Sequence, residues 1–270
     1  MTWTLRLGDC LAPDGLASLA DQSVDHVIVD PPYSEHVHAA HRIGSTARDA
    51  ARPSRRVVSR KQDLGFEHLT SDTMDKLSVE FARLARRWVL VFCDVESAHL
   101  WRGALVAACS DAAGTTSLEY VRTCFWRRIG GTPQFTGDRP ANMLEAIVLA
   151  HRRGKKRWNG GGKGNVYDYA IVLDRGHTGA RLHPTQKPIR LLRALVADFT
   201  DPGDLICDPM AGSATTLVAA KQLGRSAIGW EREPAWHAAG LQRLAQEELP
   251  IAPAASKHEQ AALDLLERFA

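Results

Sequence analysis

The sequence has no Cys-x-x-Cys pair, and its five cysteines (Cys10, Cys93, Cys109, Cys124, Cys207) are scattered and odd in number. That pattern suggests neither a zinc site nor a disulfide framework, and most of the cysteines read as small apolar residues beside strands. His36, His38 and His41 share a polar stretch, but no cysteine or carboxylate cluster completes a metal-ligand set around them. No apolar run approaches the roughly 20 residues that span a bilayer. The N-terminus lacks the charged and then apolar pattern of a secretory signal, so a cytoplasmic location is the expectation. Also absent are the G-x-G-x-x-G fingerprint of a dinucleotide enzyme and the lysine-bearing loop of a P-loop nucleotidase. With 270 residues, 44% hydrophobic and 24% charged content and a net charge of only +3, the chain suits one large α/β domain.

What is present is organised around Val27-Ile28-Val29 and the Asp30-Pro31-Pro32-Tyr33 that follows. The β-branched run reads as a buried strand. Two consecutive prolines cannot continue a strand ladder and bias the backbone toward extended geometry, so the chain leaves the sheet after Asp30 as a stiff, open turn. A carboxylate, two backbone carbonyls and an aromatic ring are presented together at the carboxyl end of a strand. Open α/β sheets bind ligands there.

Around this turn, residues 2–7 alternate as a strand ending at Gly8-Asp9, Leu16, Leu19 and Ala20 suggest a short helix, and 24–29 form the next strand. A strand, a helix and a strand in so few residues predict a parallel sheet. Met74, Leu77, Phe81 and Leu84 recur at helical spacing; a strand over 88–92, a helix over 97–108 and strands over 120–126 and 144–149 follow. Trp126 is expected in the core. The long, polar and basic stretch 34–70 reads as a functional loop or a disordered one. Basic residues also gather between Arg152 and Lys163, where Trp158 and Tyr167 interleave with them, a mixture that fits phosphate pairing and base stacking.

Two later phrases add chemistry. His183-Pro184-Thr185-Gln186-Lys187-Pro188 introduces a helix with the apolar face Ile189, Leu192, Leu195, Val196 and Phe199, Thr185 being placed to cap it. A strand over 205–207 then leads into Asp208-Pro209-Met210-Ala211-Gly212-Ser213-Ala214-Thr215-Thr216, whose small residues let the backbone approach a ligand closely. Asp208 stands at that strand's end and can meet a cationic group. Glu231 ends the next strand, 226–230, where an acid can hold two ribose hydroxyls. A helix over 235–249, a linker over 250–256 and a short amphipathic helix over 261–270 complete the chain. The last helix is expected to pack on its own domain, with a second subunit as the alternative.

Asp30 to Tyr33, with Gly8-Asp9-Cys10 before it and the 183–188 and 208–216 phrases after it, resembles the β group of DNA amino-methyltransferases, which methylate the exocyclic nitrogen of adenine or cytosine. The resemblance spans nearly the whole chain up to the final linker. Met210 and Ala214 depart from it, standing where Phe and Gly are usual. It implies a Rossmann-like methyltransferase fold: a mainly parallel, seven-stranded sheet with helices on both faces and a circularly permuted motif order. It implies a catalytic domain over 1–249, a loop insertion over 34–70, a target-recognition region over 129–181, and S-adenosylmethionine and double-stranded DNA as ligands. It carries catalytic roles onto Asp30, Pro31, Pro32 and Tyr33, and cofactor contacts onto Asp9, Asp30, His183, Thr185, Lys187, Asp208, Pro209, Ala211, Gly212, Ser213 and Glu231. Lys187 is expected to favour the cofactor's carboxylate. Asp at the head of the tetrapeptide resembles the adenine-N6 enzymes more than the cytosine-N4 enzymes, which more often carry Ser. RNA as substrate, a non-catalytic DNA-binding protein and an NAD-dependent oxidoreductase are the alternatives. Whether a restriction endonuclease accompanies the protein is not written in the sequence.

Overall fold

A computed structural model describes residues 1–32, 69–108, 118–130, 140–171 and 186–246. Tyr33, His183, Thr185, nearly all of the 34–70 insertion and the 250–270 tail lie outside the described residues. Strands β1 (Trp3–Leu7), β2 (His26–Val29), β3 (Trp88–Cys93), β4 (Leu118–Ile129), β5 (Leu144–Arg152), β6 (Val166–Ala170), β7 (Leu205–Asp208) and β8 (Ser226–Glu231) form one sheet in the order β1-β8-β7-β2-β3-β5-β4-β6. All neighbours pair in parallel except those of β5, which runs antiparallel to β3 and to β4.

The alternation along the central strands decides what each face of the sheet carries. Ile28, Leu90 and Phe92 point to one side, where helix α3 (Ile189–Phe199) brings Leu191, Leu192, Leu195 and Val196, and α4 (Thr215–Gln222) brings Leu217. Val27, Val29, Val89 and Val91 point to the other. There α1 (Ser71–Leu84) supplies Met74, Leu77 and Phe81, and α2 (Ala98–Ala107) supplies Trp101 and Leu105. Helix α5 (Pro234–Ala245) runs beside β1 and β8. A strand buried on both faces needs a continuous apolar run rather than an alternating one, and β2 and β3 are buried at every position. Truncating Ile28 or Leu90 to alanine would cost about 2–5 kcal/mol, enough to threaten a domain of ordinary stability.

Helix α1 starts as its sequence dictates, with the Thr70 hydroxyl accepting the Thr73 amide at 3.2 Å. The segment around Leu16 makes only a single 3₁₀ turn, Leu16–Ser18. None of the helices among the described residues is long and apolar enough to cross a membrane.

One expectation is corrected. The sheet has eight described strands rather than seven. The additional one, β6, lies inside the Gly- and Lys-rich stretch read as a contact region; it pairs with β4 and buries Tyr167. The basic run 152–163 begins at the end of β5. Because β5 runs against its neighbours, Arg152 ends it at the edge where the parallel strands begin, and its amide bonds Arg87 O at 2.9 Å. Four of the cations there meet acids: Lys156 and Arg153 meet Glu119 at 2.8 and 3.3 Å, Arg157 meets Asp201 at 2.8 Å, and Lys163 meets Asp198 at 2.6 Å. Trp158 packs edge-on against Phe199, 4.9 Å between centroids.

Candidate active site

Parallel register brings the chemically significant residues to the other edge. Val27 pairs with Cys207, Asp208 with Gly229, and Leu7 with Glu231, so Asp30, Asp208, Glu231 and the Gly8-Asp9 turn all stand where their strands end. Cys93 and Asp94 end β3 at the same level. Glu145 joins them from the opposite direction, since antiparallel β5 begins there, with Ala146 opposite Cys93.

The centre of this edge is an ion cluster. Lys187, just before α3, places its ammonium 2.7 Å from each Asp30 carboxylate oxygen and 2.7 Å from Glu145 Oε1. It also lies 5.2 Å from the centre of the Phe92 ring. The Lys187 and Glu145 side chains are 6% and 4% exposed, whereas Asp30 keeps 29% of its side chain open. A reacting group can therefore reach Asp30. Loss of water pushes the Asp30 pKa up to about 6; the Lys187 charge opposes that rise, and Glu145 adds to it.

Asp208 forms the second centre. Its carboxylate accepts the Met210 amide at 3.2 Å and a hydrogen bond from the Thr216 side chain. Burial nonetheless pushes its pKa up to about 7, aided by the nearby charges of Asp30 and Glu231. Glu231 is likewise raised by burial, although it accepts the Glu233 amide at 2.7 Å and the Gly212 amide. Between these acids the 209–214 turn is shaped by two left-handed residues, Gly212 (φ +54) and Ala214 (φ +62). Arg243 fastens the turn from α5, donating to the Ser213 carbonyl and, at 3.0 Å each, to the Ser213 and Thr215 hydroxyls.

The sequence model of the DNA methylase family of N6 and N4 enzymes matches residues 24–240, most of the chain and all of this edge except β1. The protein belongs to this DNA methylase family. Among curated relatives, the methylase YubD of Escherichia coli K12 is 49% identical over 74 residues, 27% of this chain and 33% of that protein. The DNA adenine methyltransferase YhdJ of the same organism is 40% identical over 84 residues, 30% of this chain and 27% of that protein. The matched stretches thus span about a third or less of those relatives' lengths. Among solved structures, the M1.HpyAVI–SAM complex superposes with a TM-score of 0.64 at 18% identity, over 91% of this chain and 100% of that one. At that identity the likeness is one of fold.

In this member of the family the residues singled out in sequence fall into three groups. Asp30, Lys187, Asp208 and Glu231 converge, with Pro209, Ala211 and Gly212 forming the turn between the last two. Asp9 stands at the rim, exposed, its carboxylate accepting the Leu11 amide at 2.9 Å. The Ser213 hydroxyl faces Arg243 rather than the acids. Pro31 is buried and Pro32 half-buried beyond β2, while the expectations for Tyr33, His183 and Thr185 lie outside the described residues. The Lys187 ammonium lies against the carboxylates of Asp30 and Glu145. Sequence reading missed Glu145 and Arg243. A lone acid entering an apolar strand, Leu144-Glu145-Ala146-Ile147-Val148, was the available signal for the first. The second is one of several arginines on an ordinary helix and carries none.

Proposed function

We propose that the protein transfers a methyl group from S-adenosylmethionine to the exocyclic N6 of an adenine flipped out of duplex DNA. The observation that carries this reading is the partly open Asp30 carboxylate, held on a strand end beside a second buried acid, Asp208. The residues present fit the cofactor. Asp30 and Glu145 share the Lys187 ammonium, Asp208 feels the charges of Asp30 and Glu231, and burial opposes ionisation of Asp30, Asp208 and Glu231. A cationic ligand relieves such a cluster. Small residues at 211 and 212 leave the backbone accessible, and a Cβ built on Gly212 meets nothing within 4 Å.

In this reading Asp208 and Glu231 hold the cofactor, which supplies an electrophilic methyl on a sulfonium. The base's amino lone pair is delocalised into the ring and is a poor nucleophile. Asp30 and the Pro31 carbonyl accept the two amino hydrogens, localising that lone pair. Bound there, the cofactor would give its methyl to the amino nitrogen and leave as the neutral thioether; Asp30 faces the positive charge that grows on that nitrogen and takes the departing proton, which passes on to solvent. Its interaction is strongest in the transition state, where it accelerates the reaction. Tyr33 serves as the stacking platform for the flipped base.

Adenine is favoured by Asp, rather than Ser, at position 30, and by the adenine methyltransferase among the relatives. N4 of cytosine is the second reading, because the family includes enzymes of both kinds. The test is incubation with unmethylated duplex DNA and S-adenosylmethionine, then digestion to nucleosides and mass spectrometry. N6-methyladenine is the expected product; N4-methylcytosine would correct the base. A protein that neither binds the cofactor nor yields a methylated base would overturn the proposal.

A further inference from the structure

Two carboxylates of the protein lie against the ammonium of Lys187, in the phrase expected to contact the cofactor. One is Asp30, approached symmetrically at 2.7 Å on each oxygen; the other is Glu145, at 2.7 Å from the far side of the sheet's centre. A lysine serving one carboxylate would bind it as a simple ion pair. Here the charge is shared, and the sharing has a consequence for Asp30. We infer that Lys187 and Glu145 are positioning residues for Asp30: Lys187 fixes the carboxylate's orientation, and Glu145 draws off part of the lysine's charge so that Asp30 remains a strong acceptor for the amino group. This rests on the function proposed above.

The physical need is clear from the opposite limits. With Lys187 alone, the attraction of a full ammonium stabilises the carboxylate so well that it accepts an amino hydrogen weakly. Without the lysine, a desolvated carboxylate beside other acids takes up a proton near neutral pH and is left only the weaker acceptor capacity of a neutral carboxyl group. Glu145 sets the balance between these limits, and its own burial prevents water from screening it. Among the described residues, the other ionisable groups that interact with Asp30 are Asp208 at the end of β7 and Cys93 at the end of β3, with Asp94 next to the latter. Burial keeps the Cys93 thiol protonated, so it contributes no charge.

The test follows Asp30 directly, by NMR titration of carboxyl-¹³C aspartate in the full chain, with Asp30→Asn assigning its signal. Glu145→Gln removes the charge that raises the Asp30 pKa, so that pKa falls by about one unit; Lys187→Met removes the charge that lowers it, so it rises by about one unit or more. Opposite shifts in the two variants are the signature. If wild type methylates DNA, the acid limb of its pH–rate profile moves the same way in each variant, and calorimetric affinity for S-adenosylmethionine stays within about three-fold, since a threefold change is under 1 kcal/mol. Loss of cofactor binding in Lys187→Met with an unmoved Asp30 would return the lysine to the cofactor and overturn the inference. So would an Asp30 pKa unmoved by Glu145→Gln. Absence of methylation by wild type on every DNA tried would instead count against the proposed function, and the titration would still decide the charge sharing.

Discussion

The two edges of this sheet handle buried charge in opposite ways. Where the parallel strands begin, every acid is answered. Asp204 accepts from His26 Nε2 at 2.9 Å, from the Asp201 amide at 2.8 Å and from Arg87 at 3.1 Å. Burial alone would raise its pKa, but those partners hold it below the usual carboxylate range. Where the strands end, Asp30 and Asp208 are pushed up to about 6 and about 7, because burial outweighs their partners. One edge is built for stability. The other keeps acids in a state that costs folding free energy, as sites that must bind something commonly do.

The sharpest way to break this contrast is Asp208→Asn. It is expected to weaken S-adenosylmethionine binding about 100-fold, the loss of one charge-assisted contact in a dry site. It should also raise Tm by a few degrees. The sign follows from linkage: an acid with a raised native pKa binds more protons folded than unfolded, so it destabilises the fold progressively as pH rises from about 4 toward 7. Asparagine removes that penalty. Calorimetry and a thermal melt on the same sample check both halves, and a lower Tm would contradict the account of that edge.

Asp204→Asn should do the reverse, costing about 3 kcal/mol by leaving Arg87 and His26 short of a buried partner and leaving turnover per folded molecule unchanged. Here the native pKa is depressed, so the contribution of Asp204 is present above the unfolded value and lost as pH falls through the folded one. Chemical denaturation at pH 7 and at pH 3 should show the variant's deficit shrinking at the lower pH.

Ala214→Gly is the smallest change. It relieves about 1 kcal/mol of left-handed strain and gives back a similar amount in unfolded-chain entropy. A net shift within about 0.5 kcal/mol by denaturant titration is expected.

The same contrast explains what could be read from the sequence. The β-branched runs of β2 and β3 and the apolar face of α3 fix these elements locally, so the two-faced sheet was legible. The described residues of the 30–33, 183–188 and 208–216 phrases gather at one edge of the sheet, and each phrase stood out in sequence because it joins a strand or helix end to chemistry unusual for a simple turn. What escaped depends on distances along the chain that local patterns do not encode. Lys187 reaches Asp30 across 157 positions, and Glu145 is a single acid in an otherwise apolar strand. The direction of β5 decides that Arg152 to Lys163 lie at the stabilising edge, and no residue in that run reports it. Strand β6, with Tyr167 inward and Asp168 outward, was hidden by the glycines and lysines before it.

The comparison of edges is tested most directly by Asp30→Asn and Asp204→Asn side by side, each assayed for methyl transfer to duplex DNA and for Tm. The account predicts that Asp30→Asn loses about a thousand-fold or more in rate, the effect of deleting a transition-state acceptor, with Tm unchanged or higher. It predicts that Asp204→Asn keeps its rate and melts several degrees lower. An Asp30→Asn protein that melts lower and still methylates DNA would contradict it.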